Sequence, residues 1–195
     1  MGERDTRTSI IDTAERFFRE IGYQKTTVAD IAKALRMSPA NVYRFFDSKK
    51  AINEAVLARY KGELEETLRR IAGEKRPAGE RLREMLLAAH RINAGRVGDQ
   101  MRMNEMVCAA MNESWGAISD HIARFDAVLR EVIAQGVASG EFRAVDPAQA
   151  TGCLRIAMIR YHHPLLIAQC ERLPGPSVEE AIAFVMSALE PSQAA

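Results

Sequence analysis

Apolar residues recur at intervals of three and four along nearly the whole chain, and the strict alternation of a half-buried strand is missing. In a chain rich in Ala, Leu, Glu and Arg this period predicts an all-α protein. Ile11, Ala14, Phe17 and Phe18 give the apolar face of a first helix over about residues 4–21, and Gly22 is placed to end it. Thr27 and Asp30 have capping-box spacing and open a second helix that stops near Leu35. Ser38 is suited to cap a third, with Pro39 at the first helical position, where a missing N–H costs nothing. Asp47 or Ser48 caps a fourth, from Lys49 to about Ala72, and GEKRPAG then separates a head from a body.

The body pattern predicts five more helices, near residues 78–94, 98–112, 115–139, 147–171 and 177–189. Trp115, Ile118, Ile122, Phe125, Leu129 and Val132 form one continuous stripe, so that helix should cross the core. GEFRAVDP stops it and starts the next, which is apolar around much of its circumference and should kink at Pro164. PSQAA reads as a frayed end.

The chain has 195 residues, 47% of them hydrophobic, enough for one large or two small domains with a real core. No run of about 18 apolar residues predicts a membrane span, and MGERDTRTS lacks the apolar stretch of a secretory signal, so a cytoplasmic protein is expected. Cys108, Cys153 and Cys170 have none of the close paired spacings of a zinc or thioredoxin-like site and read as buried free thiols. Net charge is +1, unevenly spread: residues 1–50 carry ten Lys/Arg against seven Asp/Glu, a net +3, and the remainder is −2. A basic head on an acidic body points to an anionic partner at the N-terminus.

Residues 28–46, VADIAKALRMSPANVYRFF, hold two short helical patterns around a tight turn, the arrangement of a helix-turn-helix. Ile31 and Leu35 can pack on Val42 and on Phe45 or Phe46, and all of them on Phe17 and Phe18, which fixes the angle of the second helix. Its other face is then free for a major groove. Ser38, Pro39, Ala40, Asn41 and Arg44 lie at its front or outer side, where Asn can pair with adenine and Arg with guanine. Thr26, Thr27, Tyr43 and Lys49 can reach phosphates through hydroxyl, helix N-terminal or ammonium donors. The competing reading is a solvated face on an ordinary helical hairpin.

The run TTVADIAKALRMSPANVYRFFDSKKAI, after a helix ending FFREIGY, resembles the DNA-binding head of the tetracycline-repressor (TetR) family of bacterial transcription regulators, in residue order as well as composition. The resemblance covers roughly residues 8–55. It implies an all-helical homodimer whose heads hold a near-palindromic operator and whose bodies bind a small effector. It also implies that Thr27, Tyr43 and Lys49 position the DNA backbone and that Ser38, Pro39, Ala40, Asn41 and Arg44 face the bases. SPAN stands where the family often has S-x-G-T, so the resemblance carries the fold and not the operator sequence. The domains expected are a head at residues 1–50 and an effector-binding and dimerisation body at 51–195, joined through the helix at about 49–72.

In the body, four of nine methionines fall in DQMRMNEMVCAAM, a composition suited to an adaptable apolar pocket or to ordinary core. Met103, Met106 and Val107 share a face and, with Met85, Ala89 and Trp115, can line such a cavity. Ile118, Ile122, Met158 and Tyr161 can complete it, and His90, His121 and His162 can supply its polar contacts. For the dimer interface the candidates are the stripe Val178, Ile182, Val185 and Leu189, with Leu154, Leu165 and Leu166. No nucleophile-and-base motif suggests an enzyme, and no cofactor or metal is expected. Two alternatives stay open: a metal- or redox-responsive regulator using Cys108, Cys153, His90 and His121, or a helical protein-interaction module without an effector.

Overall fold

A computed structural model describes residues 3–94, 115–170 and 173–191. All regular structure among them is helical: α1 (Glu3–Ile21), α2 (Val28–Ala34), α3 (Pro39–Tyr43), α4 (Lys49–Ala72), α5 (Ala78–Ala94), α6 (Trp115–Ser139), α7 (Pro147–Ala157), α8 (Ile159–His162), α9 (Pro164–Cys170) and α10 (Val178–Ser187). The helix expected at 98–112 lies outside the described residues.

The described residues fall into two compact units, 3–62 with 115–120 and 63–94 with 121–191. The division falls inside α4 because its first half belongs to the head core: Ile52, Val56 and Leu57 are buried there with Ile10, Ala14 and Phe18 of α1. Ile11 and Phe17 are only partly buried, so the inward line of α1 is rotated slightly from the one the sequence suggested. Gly22 takes φ 95°, a conformation without penalty only for glycine, and lets the chain leave α1 sharply.

The second unit packs α5, α6, α7 and α10 around Leu82, Met85, Leu86, Leu129 and Ile133, all fully buried. Gly140, at φ 79°, ends α6, and Asp146 opens α7 by accepting the backbone N–H groups of Ala148 and Gln149, both at 2.8 Å. A cap of this kind stabilises a helix by roughly 1 kcal/mol. Arg155 of α7 binds Asp126 of α6 at 2.9 and 3.1 Å, fixing the two helices side by side.

The helix expected over 147–171 is three helices. Pro164 excludes the helical conformation from the residue before it, and His163 is extended at φ −88°, ψ 119°, so the chain breaks there instead of kinking. A second interruption, at Met158 (φ −90°, ψ 2°), has no counterpart in the sequence pattern.

Candidate nucleic-acid interface

The helix-turn-helix is built from local hydrogen bonds. Thr27 caps α2: its hydroxyl accepts the Asp30 N–H at 3.1 Å, and the Asp30 carboxylate accepts the Thr27 N–H at 2.9 Å. The Thr27 hydroxyl also donates to Asp30 Oδ2 at 2.6 Å, and this bond first and the one from the Thr27 backbone N–H second hold the Asp30 carboxyl below the usual carboxylate range. At the other end of α2, Arg36 N–H donates to Lys33 O at 3.1 Å and Met37 N–H to Ala32 O at 3.0 Å. This is a Schellman closure with Arg36 at the left-handed position, φ 54°, where glycine is usual. Ser38 then caps α3, its hydroxyl accepting the Asn41 N–H at 3.2 Å. Val42 of α3 is fully buried beside Ile31 and Phe46, which orients the rest of α3 outward.

Ser38, Pro39, Ala40, Tyr43 and Arg44 are exposed on that outward side, Tyr43 at 49%, and Asn41 is partly exposed with its amide 3.7 Å from Met37 Sδ. Thr27 is exposed at the start of α2. Lys49 donates to Gln24 O at 3.2 Å and lies 4.2 Å from the Tyr23 ring centre, so its ammonium is held at the beginning of α4 beside the α1–α2 turn. Thr26 is a correction to the expected phosphate contacts. It is fully buried, and its hydroxyl donates to Gly22 O at 2.8 Å, closing the α1–α2 turn. Arg36 was missed as a structural residue; the signal was a short turn with no glycine between two capped helices.

In the second unit the expected pocket residues part company. Met85, Ala89 and Met158 are fully buried within the packed core, so they are not free to line an open pocket; the corrected reading is that they fill space. Ile118 packs against the head core. His121 Nδ1 is 3.1 Å from Glu65, whose carboxylate also accepts Arg124 Nε at 2.9 Å. Burial raises the Glu65 pKa, but the hydrogen bonds from Arg124 and His121 outweigh it and leave the group lowered. Ile122 is half-buried. His162 Nε2 donates to Leu86 O at 3.0 Å, while its buried Nδ1 has no partner; burial pushes its pKa down to about 4. His90 and Tyr161 line a recess of about 420 Å³. Met103, Met106, Val107 and Cys108 lie outside the described residues, as do the side chains of Trp115 and Leu165. Among the described residues no group of three His, Cys, Asp or Glu is placed to hold a metal ion.

The expected dimer stripe also needs correction. Val178, Ile182, Leu189 and Leu154 are buried in the chain's own core, because α10 packs its apolar face on α5. Val185 and Leu166 are partly exposed. The most exposed large apolar groups among the described residues are instead Phe184 of α10, at 78%, and Ile156 of α7, at 66%.

A buried scaffold that presents a short capped helix with Asn, Tyr and Arg outward defines a helix-turn-helix DNA-binding regulator. Residues 10–56 match the family described as bacterial regulatory proteins, tetR family, and residues 78–185 match the tetracyclin repressor-like C-terminal domain. The chain belongs to the TetR family. It is 26% identical to the HTH-type transcriptional repressor KstR2 of Rhodococcus jostii strain RHA1 over 144 residues, 73% of this chain and 71% of that protein. A stretch of 48 residues is 48% identical to IcaR, a negative regulator of the biofilm operon icaADBC in Staphylococcus aureus, covering 25% of this chain and 26% of that one. A TetR/AcrR-family regulator from Thermobifida fusca has a similar structure, with TM-score 0.66 and 25% identity over 98% of this chain and 100% of that one. No helix among the described residues is long and apolar enough to cross a membrane.

Proposed function

We propose that this protein is a cytoplasmic, non-enzymatic transcriptional repressor that binds operator DNA as a homodimer and is released by a small-molecule effector held in the second unit. The observation that carries the reading is α3: Val42 is buried, the Ser38 cap is formed, and the groups able to read bases or grip phosphates lie on the exposed side. Ser38, Pro39, Ala40, Asn41 and Arg44 would face the bases. Thr27, Tyr43 and Lys49 would contact the backbone, with the Lys49 ammonium exchanging part of its contact with Gln24 O for a phosphate. Two copies of so short a helix give useful specificity when their half-sites are about 34–36 Å apart or a multiple of it. Phe184 and Ile156 are the apolar groups offered to the second copy. The names of KstR2 and IcaR, a repressor and a negative regulator, support repression as the sign of control.

The test is operator selection from random DNA followed by affinity measurements on variants. Arg44→Ala is expected to cost about 1–3 kcal/mol and to relax preference at one position, while Lys49→Ala weakens all sequences alike and lowers the salt slope by about one. Equal losses on selected and random DNA for Arg44→Ala would move Arg44 to the backbone. Failure of the wild type to select any sequence would end the regulator reading.

A further inference from the structure

The recess of about 420 Å³ in the second unit is walled by the end of α5, by α8 and α9, and by the turn at 173–176. Its size suits a small organic ligand. His90, Arg160 and Tyr161 are polar groups of its lining, beside Ala94, Ile167 and Pro176, and among the described residues no Asp or Glu contributes to it.

Arg160 brings a guanidinium cation to this lining. Its Nη2 donates to the carbonyls of Cys170 at 3.2 Å and Leu173 at 2.9 Å. Those two bonds use the hydrogens of one nitrogen, and among the described residues no carboxylate pairs with the guanidinium and no acceptor takes the Nε or Nη1 hydrogens. Gly175 lets it lie close to the turn: a Cβ there would come within 2.7 Å of Nη1. His90 is oriented by its Nδ1–H, which donates to the Tyr161 carbonyl at 2.9 Å, and its Nε2 can donate to an anion when the ring is the imidazolium. The Tyr161 hydroxyl donates to Pro176 O at 2.5 Å and does not compete.

We propose that this recess binds the anionic head, a carboxylate or a phosphate, of the effector. Arg160 supplies the charge and its remaining Nε–H and Nη1–H donors, and His90, as the imidazolium, a further donor through Nε2. A guanidinium is more weakly hydrated than an ammonium and its hydrogen bonds to oxyanions are charge-assisted, so one with no carboxylate partner among the described residues favours such a group. The Tyr161 ring, Ala94 and Ile167 leave room for a short apolar body beside the head. The proposal rests on the reading of the second unit as the effector-binding part.

The experiment uses the full chain with orthophosphate, acetate and octanoate at constant ionic strength, read by calorimetry and by the thermal midpoint. A saturable response in the wild type is expected, with Arg160→Gln raising the apparent Kd at least about tenfold, a change of about 1.4 kcal/mol. Arg160→Lys should fall between the two. Gly175→Ala, which keeps the charge but crowds the guanidinium, and His90→Ala should weaken binding too, and they preserve the test if Arg160→Gln does not fold. Octanoate binding much more tightly than acetate identifies the carboxylate end of an organic molecule, and orthophosphate saturating at lower concentration than either identifies a phosphate. No saturable response in the wild type, or equal affinity in Arg160→Gln, overturns the site and leaves Arg160 as a staple for the turn. Operator affinity is measured in parallel. Arg160-dependent binding without any change in operator affinity would uphold the anion site and overturn its effector role.

Discussion

The Phe142 ring occupies the space in which a side chain on Gly136 would stand: a Cβ built there overlaps the ring carbons. The Phe142 N–H also donates to Gly136 O at 3.0 Å, so the chain leaving α6 folds back on that helix and buries the ring against it. Gly136→Ala should therefore destabilise the second unit by about 1–3 kcal/mol through overpacking, although alanine is the better helix former. Chemical denaturation would show it, and a neutral or stabilising effect would mean that the ring moves aside without cost.

Arg36 is the one non-glycine with positive φ among the described residues. A Cβ in the left-handed region costs about 1–2 kcal/mol, partly offset by the freedom glycine adds to the unfolded chain. Arg36→Gly should raise stability by about 0.5–1 kcal/mol, which in a chain of this size lifts Tm by roughly 1–4 °C. A fall in Tm would show that the Arg36 side chain stabilises the turn by more than its strain costs.

Ile182 and Phe184 separate two roles on one short helix. Ile182 is 5% exposed in the core, whereas Phe184 faces outward. Ile182→Glu should unfold the second unit, and Phe184→Glu should give folded monomers with weakened operator binding. Sedimentation with circular dichroism distinguishes the outcomes. A dimer as tight as wild type after Phe184→Glu would place the interface elsewhere.

His162 links stability to acid. Burial holds its folded pKa near 4, against an ordinary value of 6.5, so the folded ring stays neutral where the unfolded one gains a proton. The folded state binds fewer protons in that window, and stability falls as pH drops from about 6.5 towards 4, by on the order of 2–3 kcal/mol. Above that window the contribution is flat. His163, also lowered by burial, acts in the same direction. His162→Gln should flatten the decline between pH 7 and 5 in urea titrations, and an unchanged slope would mean the ring titrates normally.

What the sequence by itself determined is local. The caps at Thr27 and Ser38, the C-terminal ends of α1, α4 and α6 and the start of α5 are legible because each depends on groups three or four residues apart, within reach of a single turn of backbone. The helix-turn-helix is legible for the same reason: its turn, cap and buried face fit within one short run. Only the tertiary structure decided which faces were used up. A stripe such as Val178, Ile182 and Leu189 announces an apolar face without saying whether α5 or another molecule covers it. Thr26 likewise carries a hydroxyl that either DNA or Gly22 O can satisfy, and the turn geometry gives it to Gly22. Arg160 and His90 are 70 positions apart and become neighbours of one recess only because the chain breaks at Met158 and His163 and brings α8 against α5. Periodicity reports the burial of a face, but the identity of its partner is a long-range contact, set by the packing of the whole unit.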